Sequence, residues 1–213
     1  MPTNAQHTNF ISAKASENLL HRYWNLNEAA TFTNVTGNTN VAEVTENYPF
    51  LGKRCLQIVF AETSASTFQP PTTIETSLSR DGLYIVGYRL YKSDPSADVT
   101  VDLLIYKNNV LIDTLTQNLY SSSGFEDGVW NCYYQNYEFE QNDVLKFQIR
   151  AQSDTIGTQV FFDGFKLELD DRNLGFPSIY TPVPELNTQW HSRLDFSGTQ
   201  NITANTDTGI GYT

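Results

Sequence analysis

The chain has 213 residues with a formal net charge of −11, from 13 Lys and Arg against 24 Asp and Glu. Such an acidic surface repels phosphate backbones and no basic run offsets it, which excludes nucleic acid as a partner. No stretch approaches the ~18 apolar residues of a membrane-spanning helix. Thirteen Phe, twelve Tyr and three Trp against one Met favour strands over helices.

Residues 1–39 read as an N-terminal arm with a short helix and a lead-in strand. Met1 to Phe10 is polar and has no apolar signal-peptide core, so no export route is visible. Ser12 or Ser16 is a helix cap, and Glu17, Leu19, Leu20, Tyr23 and Trp24 supply a short apolar stripe. That helix is too short to stand alone in water and must pack on something. The sequons at Asn34 and Asn201 carry no meaning without a secretory route.

From Asn40 to Leu169 the chain is a succession of strands. Residues 82–92 are nearly all β-formers. Residues 99–105 alternate, with Val99, Val101, Leu103 and Ile105 on one face and Thr100 and Asp102 on the other. Lys107-Asn108-Asn109 is a tight turn into Val110 to Leu115, a hairpin signal. Leu145, Phe147, Ile149 and Ala151 alternate with outward Lys146, Gln148 and Arg150. Strands separated by Gly, Asn, Asp and Ser turns, without helices between them, predict an all-β antiparallel sandwich or barrel over 40–169 and argue against βαβ units. Its expected core includes Leu56, Ile58, Val101, Leu103, Phe147, Ile149 and Leu167. Cys55 and Cys132 each fall inside a strand and read as two buried free thiols, a single inter-strand bridge being the alternative.

Residues 170–213 change texture. Asp-Asp-Arg-Asn-Leu-Gly-Phe-Pro, then Pro182 and Pro184, read as an extended exit. Residues 187–213 are mostly polar, with isolated anchors at Trp190, Leu194, Phe196 and Ile202. They bury too little to fold alone, so the expectation is an extended arm that uses those four residues for assembly contacts.

Chemistry-bearing patterns are absent. The acidic residues Asp81, Asp94, Asp98, Glu126 and Asp127 fall in turns rather than in the facing pair that glycosidase chemistry needs. His7, His21 and His191 lie in the terminal segments without zinc spacing. No Gly-x-Ser-x-Gly element or phosphate-cradling loop occurs. The expectation is a protein that is not an enzyme.

Three motifs, in order, resemble the jelly-roll carbohydrate-binding modules. Pro49-Phe50-Leu51-Gly52-Lys53-Arg54-Cys55-Leu56-Gln57-Ile58 is similar to their early G-K-x-S-L-x-I strand. Gly128-Val129-Trp130-Asn131-Cys132-Tyr133-Tyr134, with Tyr137-Glu138-Phe139, is similar to G-x-W-x-x-Y-x-F-x-F. Val160-Phe161-Phe162-Asp163-Gly164-Phe165-Lys166-Leu167-Glu168 is similar to the closing V-Y-I-D-D-V-x-L-E strand, with Gly164 in place of the second acid. The resemblance implies a jelly-roll sandwich and a strip of exposed aromatics for sugars. Its candidates are Tyr88, Tyr91 and Tyr133, drawn from a pool that also holds Tyr84, Tyr106, Trp130 and Tyr134. Trp130 fits the family's structural Trp better than a ligand platform, and of Tyr133 and Tyr134 one must face outward. The resemblance also admits a structural calcium at Asp163, whose plain alternative is a carboxylate serving backbone N–H groups at a bulge. No other cofactor is expected.

Sandwiches of this kind with added arms resemble virion components of tailed phages: head fibres, tail fibres or decoration proteins. The resulting expectation is a non-enzymatic structural virion protein assembled in the host cytoplasm. Its partners would be other virion proteins and sister chains, in a trimer by preference, with contact to host glycans. The alternative is a carbohydrate-binding module of a secreted glycoside-degrading enzyme.

Overall fold

A computed structural model describes residues 19–20, 31–50, 53–70, 75–120, 123, 125–170 and 175. The rest of the expected helix, including Ser12, Ser16, Tyr23 and Trp24, lies outside them, as do Trp190, Leu194, Phe196 and Ile202. Leu19 and Leu20, inside the expected helix, are not helical. The Leu19 N–H donates to the Leu167 carbonyl at 2.8 Å, and the Leu20 side chain enters the core. Pairing with a strand has displaced the local helical preference.

The described residues form eleven strands: β1 (Thr31–Asn34), β2 (Val41–Thr45), β3 (Cys55–Val59), β4 (Ser66–Gln69), β5 (Thr76–Ser77), β6 (Gly82–Lys92), β7 (Val99–Lys107), β8 (Val110–Leu119), β9 (Asn131–Phe139), β10 (Val144–Ser153) and β11 (Gln159–Leu169). Every pairing is antiparallel. They follow one curled order, β8-β7-β10-β4-β1-β2-β3-β11-β6-β9, with β5 on the side of β10. β1 is the corner. Its first half, Thr31 and Phe32, pairs with β2, and its second half, Thr33 and Asn34, pairs with β4. The two limbs meeting there are a first sheet, β2-β3-β11-β6-β9, and a second, β4-β10-β7-β8. The result is an all-β, jelly-roll-like sandwich.

Alternation accounts for the core. Val101, Leu103 and Ile105 of β7 pair with Ala151, Ile149 and Phe147 of β10, with Val99 and Leu145 on the same inner faces, and all are buried. Leu56, Ile58 and Leu167 complete that cluster from the first sheet. Asn108 and Asn109 join β7 to β8 with φ of 51° and 65°. Two left-handed residues form the turn whose twist matches a hairpin, and Asn tolerates them better than most residues. β11 carries a bulge between Asp163 and Lys166. Gly164 occupies it with φ +60°, and a Cβ there would stand 2.9 Å from Arg89 Nη1. An acid at this position would be strained and crowded, which explains the departure from the family pattern.

One buried ammonium ties the sheets together. Lys92, at the end of β6, is fully buried and donates to the carbonyls of Ala97 and Leu119, each at 2.6 Å. Asp127 Oδ1 lies 3.2 Å from the same Nζ, and the Phe125 ring centroid 5.6 Å away.

Candidate functional site

Alternation that sends apolar residues of β7 and β10 inward sends the others to the outer face of the second sheet. Cross-strand register puts Thr114, Leu104, Gln148 and Gln69 in one row, and Thr116, Asp102, Arg150 and Thr67 in the next. Leu111, Tyr106 and Lys146 lie beyond the first row. Although outward-facing, Leu104, Asp102 and Gln148 are only 5%, 6% and 8% exposed. Neighbouring side chains that lean over them, Arg150 over Asp102 among them, account for this cover. The face, hereafter the trough, is four strands, about 15 Å, wide.

Its floor is a polar lattice. Arg150 Nε and Nη2 both lie 2.7 Å from Asp102 Oδ2, while Thr116 Oγ1 donates to Asp102 Oδ1 at 2.6 Å. Charge-assisted bonds of this kind orient a guanidinium firmly. The Arg150 side chain remains 46% exposed, so donors not turned to Asp102 face the opening. Gln148 Nε2 donates to Gln69 Oε1 at 3.2 Å, which leaves amide groups of both residues for a ligand. Lys146 Nζ lies 5.6 Å from the Tyr106 ring centroid. Fixed amides, a half-exposed guanidinium, threonine hydroxyls and one tyrosine ring suit a neutral, hydroxyl-rich ligand.

The residues singled out from sequence fall elsewhere. Tyr88 is corrected: it is 1% exposed, stacks on Phe162 at 5.3 Å and 6° in the core, and presents no face to a sugar. Burial pushes its hydroxyl pKa well above the ordinary tyrosine range. Tyr133 turns inward as well, half-buried against the core with its ring centroid 5.7 Å from Tyr88, and burial raises its pKa. Its neighbour Tyr134 faces out, 50% exposed. Tyr91 lies on the outer face of the first sheet and joins an aromatic cluster there. It stacks on Tyr48 at 5.2 Å and meets Trp130 and Phe161 at 5.7 Å each. Phe50 edges onto Trp130 at 5.9 Å and carries the Arg89 guanidinium 4.1 Å from its centroid. This cluster holds the segment after β2 against the sheet, and Trp130 is one of its ribs.

Asp163 fastens the same segment. It is 3% exposed; Oδ2 accepts the Phe50 N–H at 2.8 Å and Oδ1 the Gly164 N–H at 2.6 Å. Both oxygens serve backbone donors, and among the described residues no three His, Cys, Asp or Glu side chains gather to hold a metal. The calcium expectation finds no fitting donor set there. Cys55 is buried and donates to the Asn47 carbonyl at 2.9 Å, its thiol pushed up to about 12 by burial and by the nearby Asp163. Cys132 is corrected: both thiols are free, but Cys132 is exposed, because β9 is a terminal strand with one face to solvent.

Reasoning from sequence passed over Asp102, Gln148, Arg150, Gln69 and Tyr106 as a group. The signal was available in part. The outward positions of two well-alternating strands carry an acid, an amide and an arginine.

No protein-family model matches the chain, and no curated protein matches it. Solved structures do. A family 61 carbohydrate-binding module, in complex with β-1,4-galactotriose, aligns at TM-score 0.52 and 14% identity, covering 73% of this chain and 100% of that one. An arabinose-bound family 51 α-L-arabinofuranosidase aligns at 0.50 and 11% identity, over 74% of this chain and 27% of that one. The enzymatically active domain of a tailspike protein from bacteriophage CBA120 aligns at 0.47 and 10%, over 71% of this chain and 21% of that one. The fold is thus that of the carbohydrate-binding-module sandwiches. At these identities the likeness establishes the fold alone.

Proposed function

We propose that this chain is a non-catalytic glycan-binding sandwich whose ligand lies in the trough on the outer face of the second sheet. The observation that carries the reading is the hydrogen-bonded polar cluster Asp102–Arg150–Thr116 and Gln148–Gln69, in which Asp102 and Gln148 are buried while Arg150 and Thr116 are exposed. A sugar exchanges water for these fixed groups, and the side chains have little orientation left to lose. Tyr106 offers the one ring beside the lattice, and Arg150 and the glutamines select hydroxyl positions. The likeness to sugar-binding sandwiches supports the same reading. Calorimetric titration of the full chain with soluble galactan, xylan and arabinan oligosaccharides tests it. Binding to at least one is expected, and Gln148→Ala or Tyr106→Ala weakens it at least tenfold, about 1.4 kcal/mol, with the near-ultraviolet circular dichroism unchanged. Binding that ignores both substitutions, or no binding to any glycan, refutes the proposal.

A narrower reading makes the sandwich part of a structural virion protein, with glycan contact at the host surface. It is supported by the polar sequence of residues 187–213, which is too poor in apolar residues to fold alone. Deleting those residues is expected to leave a folded sandwich that no longer enters particles. If the truncated chain assembles normally, the reading as a module of a secreted enzyme takes its place.

A further inference from the structure

The strand order has two ends, β8 and β9, and they differ. β8 breaks register with β7 between Ile105 and Tyr106, and such a bulge twists an edge away from partners. β9 runs unbroken against β6 over nine residues and, among the described residues, pairs with β6 alone. It contains no Pro, Gly, Lys or Arg, and its only charge is Glu138. In a chain of net charge −11 this is a nearly neutral, aromatic-rich edge without the proline, lysine or bulge that guards other edges, and Asn136 Nδ2 on it donates to the Gly175 carbonyl at 3.2 Å.

We propose that β9 pairs antiparallel with β9 of a second copy about a two-fold axis at Gln135. That residue is the centre of Asn131–Phe139, so full overlap sets Gln135 opposite itself, Tyr134 opposite Asn136, Tyr133 opposite Tyr137 and Cys132 opposite Glu138. Inward and outward residues keep their faces, because each pair shares parity. Aromatic and amide pairs meet across the strands, which favours pairing. The two Glu138 carboxylates lie six residues from each other's partner position, roughly 20 Å apart, beyond the screening length of ~8–10 Å at physiological salt. Since each copy carries −11, association strengthens as salt rises. The trough belongs to the other sheet and stays open in the pair. The two-fold contact is also distinct from any association through residues 187–213.

The register gives the test. Opposed residues in antiparallel strands have Cα atoms ~4.5–5.5 Å apart, inside the range a disulfide spans. Within one chain, positions 132 and 138 are about 20 Å apart along the same strand and cannot be bridged. The full-length Glu138→Cys variant under mild oxidant is expected to form a covalent dimer that vanishes when Cys132→Ser is added. In sedimentation, wild type is expected to be a dimer. Gln135→Lys sets two cations face to face and raises the dissociation constant at least tenfold, and mixing it with Gln135→Glu restores the pair. Gln135 is exposed, so these substitutions leave the fold intact. A monomer at all concentrations overturns the proposal. So does an oligomer that lacks the 132–138 link or is indifferent to Gln135→Lys.

Discussion

Removing the carboxylate beside Lys92 is the sharpest test of how the two sheets are held. The ammonium is completely buried, and its three close partners are two carbonyls at 2.6 Å and Asp127 at 3.2 Å, an ion contact longer than the two hydrogen bonds. Those carbonyls belong to Ala97, before β7, and Leu119, at the end of β8, so one group on the first sheet fastens two elements of the second. Asp127→Asn keeps size and removes the counter-charge, leaving a cation in an apolar site beside Phe125. Breaking a buried pair in this way costs about 3–5 kcal/mol. The asparagine keeps an amide oxygen in place of the carboxylate oxygen beside the ammonium, so the lower end, about 3 kcal/mol, is expected. Lys92→Met strands both carbonyls, at about 1–3 kcal/mol each, but adds apolar contact, and lands near the same figure. The double variant is then expected to cost clearly less than the sum, because removing both charges spares the orphaned one. Urea unfolding followed by tryptophan fluorescence measures all three. If Asp127→Asn shifts stability by less than 1 kcal/mol, or the two changes add, the ammonium is not the pin described here.

Three further outcomes are expected. Phe147→Ala removes a ring packed against Phe165 at 5.1 Å in the core and costs about 3–5 kcal/mol in the same unfolding assay. Gly164→Ala forces a left-handed alanine and displaces Arg89 Nη1, costing about 1–2 kcal/mol; an unchanged midpoint shows that the bulge relaxes. At pH 8 a thiol reagent labels Cys132 at once and Cys55 only on unfolding. Because burial raises the Cys55 pKa from 9.0 to about 12, its contribution to stability is full below pH 9 and is lost as pH rises towards 12. Cys55→Ala is therefore expected to flatten the alkaline loss of stability across that window.

The core was legible where one face is apolar and the other polar. β7 and β10 satisfy that condition, and each of their predicted inward residues is buried. β6 does not. Tyr84, Ile85, Val86, Tyr88 and Leu90 are all covered, since β6 is packed on both faces, and a run of β-formers cannot say which Tyr turns which way. Tyr88 and Tyr91 were therefore indistinguishable until register placed one in the core and the other with Tyr48 and Trp130. The trough is hidden for another reason. Asp102 and Gln148 read as solvated outward residues, and only cross-strand register and bonds to Arg150, Thr116 and Gln69 join them into one cluster. Leu19 and Leu20 show the reverse case, a local helical pattern overruled by a distant carbonyl on Leu167.

The place of β11 has a consequence for the order in which a growing chain can fold. The strand lies between β3 and β6, pairing Phe162 with Leu56 on one side and with Leu90 on the other. The β7–β8 hairpin closes locally through a two-residue turn and is free to form while synthesis continues. The first sheet is not: until residues 159–169 emerge from the ribosome, β3 and β6 stand with a strand-wide gap between them and two raw edges exposed. At a synthesis rate of ~5–20 residues per second, those edges wait several seconds. Selection on codon usage or chaperone binding is then expected to fall on the stretch between β6 and β11, where the nascent chain is most open to pairing with a neighbour.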